Sequence, residues 1–298
     1  MDRRAVSIDP ESRTFEFKPY RYTPSLVAAV VSVVVFATLT ALHTWRVHKF
    51  QAFYFAAFTI GGLFQTVGYG GRLWSHFDPE ALGGFIIQEI LILVAPALYA
   101  ASIYMVLGRL LRSLRAEHHS FIPVKWMTKI FVIGDIVSFT LQAGGGGIQS
   151  AGSLKLYEIG EKVIIVGLFV QIAVFGFFMV TSLICHGRLA GALAPAADQE
   201  IIPWRRHLYV LYTTSIIILI RSVFRVIEYV QGNGGYLISH EIFLYIFDAC
   251  LMAAVMLIFF VWYIGDLEPK ETHKRRLTVE SDIGLTGLDQ VELNGVRI

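Results

Sequence analysis

HEIFLYIFDACLMAAVMLIFFVWYI, residues 240–264, is an apolar run that contains two acids, Glu241 and Asp248. About 20 apolar residues in a helix cross the roughly 30 Å hydrocarbon core of a bilayer, so the run is long enough to span one. A charge at the centre of such a helix costs about 2.5–3.5 kcal/mol on insertion scales, while each Leu, Ile, Phe or Val returns only about 0.3–0.6 kcal/mol. Glu241 and Asp248 must therefore face other polar groups or water, not lipid. The preceding apolar run carries counterparts for them, Arg221 and Arg225, together with a further acid, Glu228.

Outward from this segment, runs of similar length lie near 24–44, 52–73, 83–108, 127–147, 161–184 and 207–230, making seven in all. The whole chain of 298 residues is 55% hydrophobic and 16% charged, with a mean hydropathy of +0.59. A soluble domain carries about 25% charge. In lipid every backbone polar group must be satisfied within its own segment or in a closed barrel, and ten-residue alternating strands do not occur in the sequence. The expected fold is all-α, a polytopic membrane protein with seven transmembrane helices over 24–265. Residues 1–23 are polar and of mixed charge, without the short apolar core of a cleavable signal, so the first helix is the expected insertion signal.

Basic residues gather beside one set of helix ends, including Arg109, Arg112, Arg115, Arg188, Arg205 and Arg206. By the positive-inside rule these ends are expected in the cytoplasm, with 1–23 outside and 266–298 a mobile cytoplasmic tail. Cys185 and Cys250 fall where a disulfide is not expected, and they read as packing residues. The net charge of +2 implies no nucleic-acid partner, and the basic loop ends suit anionic lipid heads. No nucleotide-binding loop, cofactor motif or metal-ligand spacing is present.

The polar residues inside the spans repeat at helical spacing. Gln65, Tyr69 and Arg72 share one face of the second helix, Asp135, Ser138 and Gln142 one face of the fourth, Arg221, Arg225 and Glu228 one of the sixth, and Glu241, Tyr245 and Asp248 one of the seventh. Gln88 and Glu89 precede Pro96, which removes a backbone hydrogen bond from the third helix. Two readings follow. Such groups can clamp helices together by hydrogen bonds and ion pairs, as Gln65, Ser138 and Gln171 are placed to do. Alternatively they line one polar cavity open to one side, whose surplus of acid suits the cationic head of an amphipathic lipid. AGGGG at 143–147 and QGNGG at 231–235 are each expected to end a helix on the outer side.

YGGR at 69–72, QEILILVAPALYAASIYMVLGRLL at 88–111, FVIGDIVSFTLQAGGGG at 131–147 and IRSVFRVIEYVQGNGGYLISHEIFLYIFDACLM at 220–252 together resemble the fungal lipid-translocating exporter family, which includes aminocholesterol-resistance and sphingoid-base-resistance proteins. The resemblance runs from about 24 to 265. It implies a seven-helix plasma-membrane or endomembrane protein that moves sphingoid long-chain bases or related toxic amphiphiles, with one branch linked to porphyrin traffic. The family's polar positions would fall on Arg72, Gln88, Glu89, Asp135, Gln142, Arg221, Arg225, Glu228, Glu241 and Asp248. A carboxylate among Glu228, Glu241 and Asp248 would then pair a lipid amine, with Gln88, Gln142 and Tyr69 taking its hydroxyls.

Two other classes fit the sequence less well. Zinc-dependent lipid hydrolysis needs about three protein ligands with His leading, whereas His43, His207 and His240 lie near span ends and His118 and His119 in a loop. A seven-helix lipid receptor suits the topology, but Gly108 and Arg109 stand where an acid-Arg-aromatic switch would be, and 240–264 offers no lysine for a retinal Schiff base.

Overall fold

Ser25 opens the first helix, its hydroxyl accepting a hydrogen bond from the Ala28 amide at 3.5 Å, the usual way of satisfying one of the free amides at a helix start. The computed structural model describes residues 24–78, 82–114, 123–149, 153–193, 204–231, 235–237 and 239–262. Among them run seven helices and no strand: α1 (Leu26–Phe50), α2 (Ala56–Phe77), α3 (Leu82–Ser113), α4 (Val124–Gln149), α5 (Leu154–Leu193), α6 (Trp204–Val230) and α7 (Glu241–Val261). Gln51 ends α1 in the left-handed region, at φ 52°.

Six of the seven are long and apolar enough to cross a membrane. The exception, α2, is diluted by glycines and by Gln65, Arg72, Ser75 and His76, and it lies in the bundle between α1 and α3. The polarity is that of a membrane protein. Val27, Val31 and Val34 of α1 point outward, while Gln65, Arg72, Gln88, Arg221, Arg225 and Asp248 are buried. Of the six apolar spans α3 is the most enclosed.

Without a hydrophobic drive between helices in lipid, close association relies on small residues and hydrogen bonds. A Cβ added at Gly71 would come within 2.9 Å of the Gly84 carbonyl oxygen, so α2 and α3 touch backbone to backbone. Gly145 of α4 stands in the same relation to Gly160 of α5, at 2.8 Å. AGGGG does not end its helix as expected: α4 continues through it to Gln149, because lipid favours continued backbone pairing and Gly145, alone of the four glycines, packs against α5.

Other sequence expectations are corrected in detail. α5 is longer than 161–184, so Cys185 lies within it. Cys185 is buried as a packing residue should be, but Cys250 is exposed on the outer face of α7. Pro96 lies inside a continuous α3. α7 contains a π-helical turn, Tyr245–Cys250, of a kind often found at functional sites. The expectations for 1–23, 266–298, His118 and His119 lie outside the described residues, as does most of QGNGG.

Candidate functional site

Glu241 begins α7 and faces the start of α1, where the Ser25 amide donates to both of its carboxylate oxygens at 2.9 and 3.0 Å. A carboxylate at a helix N-terminus is favoured by the free amides and the positive end of the helix dipole. Arg72 reaches the same carboxylate from α2: Nη2 donates to Glu241 Oε1 at 2.8 Å, Nε to the Tyr245 hydroxyl at 3.0 Å, and Nη1 to Gln88 Oε1 on α3 at 3.2 Å. Gln88 in turn donates to Glu89 Oε1 at 3.1 Å. One guanidinium thus joins α2, α3 and α7, and the carboxylate it meets adds α1. Tyr69 stacks between Phe36 and Tyr245, with ring centroids 5.3 and 6.1 Å away.

Deeper along the bundle, Arg221 of α6 donates from Nε to Asp248 Oδ1 in a short ion pair. Its Nη2 donates to the Ile92 carbonyl oxygen at 3.1 Å. Ile92 stands four residues before Pro96, and proline has no amide to return the usual helical bond. Arg221 supplies the missing donor. Arg225 pairs with Asp248 Oδ2 at 2.7 Å and with Glu228 Oε2 at 3.0 Å, and Glu89 acts on it electrostatically. Two carboxylates, Glu228 and Asp248, therefore pair with the two guanidinium groups, and a third, Glu89, lies near enough to act on Arg225 without an ion pair among the described residues. Asp248 is held between both arginines, whereas Glu89 is half-buried and its side-chain bond comes from a neutral amide.

A second polar group forms on the other side of α3. Tyr104 of α3 donates to Asp135 Oδ2 of α4 at 3.0 Å. Ser138 donates to the Gly167 carbonyl at 2.7 Å, and Gln142 Nε2 donates to Ser138 Oγ at 2.8 Å and to Gln171 Oε1 at 3.1 Å. Gln142 Oε1 is buried and takes no hydrogen bond among the described residues. Asp135, Ser138, Gln142 and Gln171, with Leu93, Ala97 and Phe139, line a narrow crevice between α3, α4 and α5 that nowhere widens enough for a water molecule.

The expected single polar surface is thus divided. Arg72, Gln88, Glu89, Arg221, Arg225, Glu228, Glu241, Tyr245 and Asp248 lie on one side of α3 with Tyr69, whose ring stacks there but whose buried hydroxyl takes no hydrogen bond among the described residues, and Asp135 and Gln142 lie on the other. Ser138 and Gln171 do clamp α4 to α5, but Gln65 is buried with neither end of its amide hydrogen-bonded among the described residues. Sequence reasoning missed Tyr104, which reads as one more aromatic in an apolar run, and the Ser25 amide, which has no side-chain signature. It also placed His43 at a span end. The ring is buried among Phe55, Phe58 and Phe260, with Nε2 2.9 Å from the Met256 carbonyl oxygen. Among the described residues no three His, Cys, Asp or Glu converge as metal ligands would.

Seven helices, apolar outside and joined inside by buried ion pairs, define a multi-pass α-helical membrane protein. Residues 58–271 match the family described as RTA1 like protein, and the chain belongs to that family. It is 37% identical to Protoporphyrin uptake protein 1 of Saccharomyces cerevisiae over 82% of this chain and 91% of that one. It is 32% identical to Protein RTM1 of the same species over 84% of this chain and 93% of the relative. To the Sphingoid long-chain base transporter RSB1 of Saccharomyces cerevisiae it is 25% identical, over 81% and 72% respectively. No solved structure matches the chain significantly.

Proposed function

We propose that this protein carries an amphipathic lipid across a membrane, that the lipid is a sphingoid long-chain base or a similar amine-bearing amphiphile, and that its removal at the plasma membrane confers resistance. The observation that carries this reading is the surplus of carboxylate around Arg225. Glu241 is occupied by Arg72 and the Ser25 amide, and Asp248 by two arginines. Glu228 and Glu89, on neighbouring helices, share what remains of Arg225. A protonated amine would supply the missing positive charge and several donors at once, while its chain stayed in lipid. The relatives named as lipid-translocating and sphingoid-base transporters support the same class. A role as lipid receptor would instead require binding without movement.

A second substrate is favoured by a different observation. The identity to the protoporphyrin uptake relative is higher, at 37%, and the buried Nε of Arg225 has an N–H without an acceptor among the described residues. Purified protein in liposomes, given a labelled sphingoid base and, separately, protoporphyrin, tests both. Faster movement of chemically unaltered base, reduced in Glu228→Gln and Glu89→Gln, supports the amine reading. Movement of protoporphyrin alone transfers the role to Arg225. Specific binding without movement identifies a receptor, and a changed mass an enzyme.

A further inference from the structure

Among the described residues, Asp135 differs from the other buried acids of the bundle, Glu228 and Asp248, in having no cation paired with it. Its hydrogen bond comes from the Tyr104 hydroxyl, at 3.0 Å, and the side chain is 5% exposed. The groups that face it are neutral on every packed element among the described residues. From α3 come Tyr104, Leu93 and Ala97; from α5, Gln171; from α4 itself, Ser138 and Gln142. Phe131, Phe175 and Phe178 enclose the Tyr104 ring, with centroids 5.3, 6.1 and 4.5 Å away. A buried carboxylate is disfavoured as an anion unless it is paired, and one neutral hydroxyl does not replace a counter-ion.

The crevice beside it fixes what can complete the charge. Gln142 Oε1 is a buried acceptor without a donor among the described residues, so the site is short of a donor as well as of positive charge. Yet no water molecule fits between its walls, which leaves no space for an ammonium group or for a metal ion with its oxygen shell. A proton needs no space.

We propose that Asp135 is the proton-carrying site of this protein: it holds a proton while the α3–α4–α5 crevice is closed and releases it when the crevice opens to water. Release leaves Asp135 as a carboxylate and passes the proton to that water. The stretch of α3 that walls the crevice, Leu93 to Ala97, begins one residue after Ile92, whose carbonyl Arg221 holds. Opening the crevice therefore displaces the same backbone that anchors the arginine network, and this links proton movement to the site proposed for the lipid. The existence of the proton site stands on its own geometry. Its use in transport rests on the lipid-carrier reading.

Infrared difference spectroscopy on the purified, membrane-reconstituted protein reads the first half directly. Wild type at neutral pH is expected to show a protonated-carboxyl C=O band that disappears in Asp135→Asn, shifts but persists in Asp135→Glu, and is untouched by Glu158→Gln, a change at an exposed acid of α5. An unchanged band in a folded Asp135→Asn protein overturns the proposal. In liposomes carrying a pH gradient, lipid movement is expected to respond to the gradient in wild type and in Asp135→Glu and not in Asp135→Asn. An equal response in Asp135→Asn overturns the coupling. A wild type that moves no lipid yet shows the Asp135 band supports the proton site and defeats the lipid reading instead.

Discussion

The two polar regions flanking α3 solve the problem of burying charge in opposite ways. On the α6–α7 side, arginines and carboxylates neutralise each other, and each guanidinium bridges at least two partners. On the α4–α5 side a lone acid sits among amides, a serine and aromatic rings. Paired charges lock helices in place because removing one partner strands the other. A lone acid can change its charge without stranding anything, which suits it to a cycle and makes it a poor clamp.

This contrast is easiest to break with the largest effect. Arg221→Met would leave Asp248 with Arg225 as its one remaining cation and the Ile92 carbonyl without a donor, a loss of up to about 3–5 kcal/mol by comparison with other broken buried pairs. Thermal unfolding in detergent should show it as a steep fall in folded yield. Asp135→Asn, which replaces one neutral hydrogen-bonding group by another if the acid holds a proton, should lower stability by less than about 1 kcal/mol. Equal losses in the two variants would erase the distinction between the regions. Arg221→Lys is expected to fall nearer Met than wild type, since an ammonium cannot reproduce the fork that meets Asp248 and Ile92 together.

Smaller changes sharpen it. Glu241→Gln keeps the shape but removes the charge shared by Arg72 and the Ser25 amide, and should cost about 1.5–3 kcal/mol. A double-mutant cycle with Arg72→Met should return a coupling of about 0.5–3 kcal/mol; a coupling near zero would mean that the pair does not hold α1 and α2 to α7. Tyr104→Phe removes one neutral hydrogen bond at about 1 kcal/mol and is best followed by the position of the Asp135 infrared band. Gln171→Leu, on the α4–α5 seam, should cost only about 0.6 kcal/mol, the typical worth of a hydrogen bond between membrane helices.

The sequence made the spans and their polar faces readable, because a charge in an apolar run has no ordinary place in lipid and helical spacing shows which residues share a side. It could not show which faces meet. Asp135, Ser138 and Gln142 share one helix face just as Arg221, Arg225 and Glu228 do, and the position of α3 between the two sets keeps the neutral crevice apart from the charged network. The π-helical turn at Tyr245–Cys250 leaves no trace in composition. The Arg221 contact with Ile92 did have a signal: Pro96 frees the carbonyl four residues earlier, and a buried arginine is a ready donor. Identifying which arginine required coordinates.

That contact also has a meaning for the order of assembly. The carbonyl freed by Pro96 is completed by a residue 129 positions later in the chain. α3 precedes α6 in the sequence, and until α6 is in place beside it Ile92 must find another donor at membrane depth. A third helix made early but finished late is a natural point for quality control, and variants at Arg221 should then be retained and degraded during biogenesis.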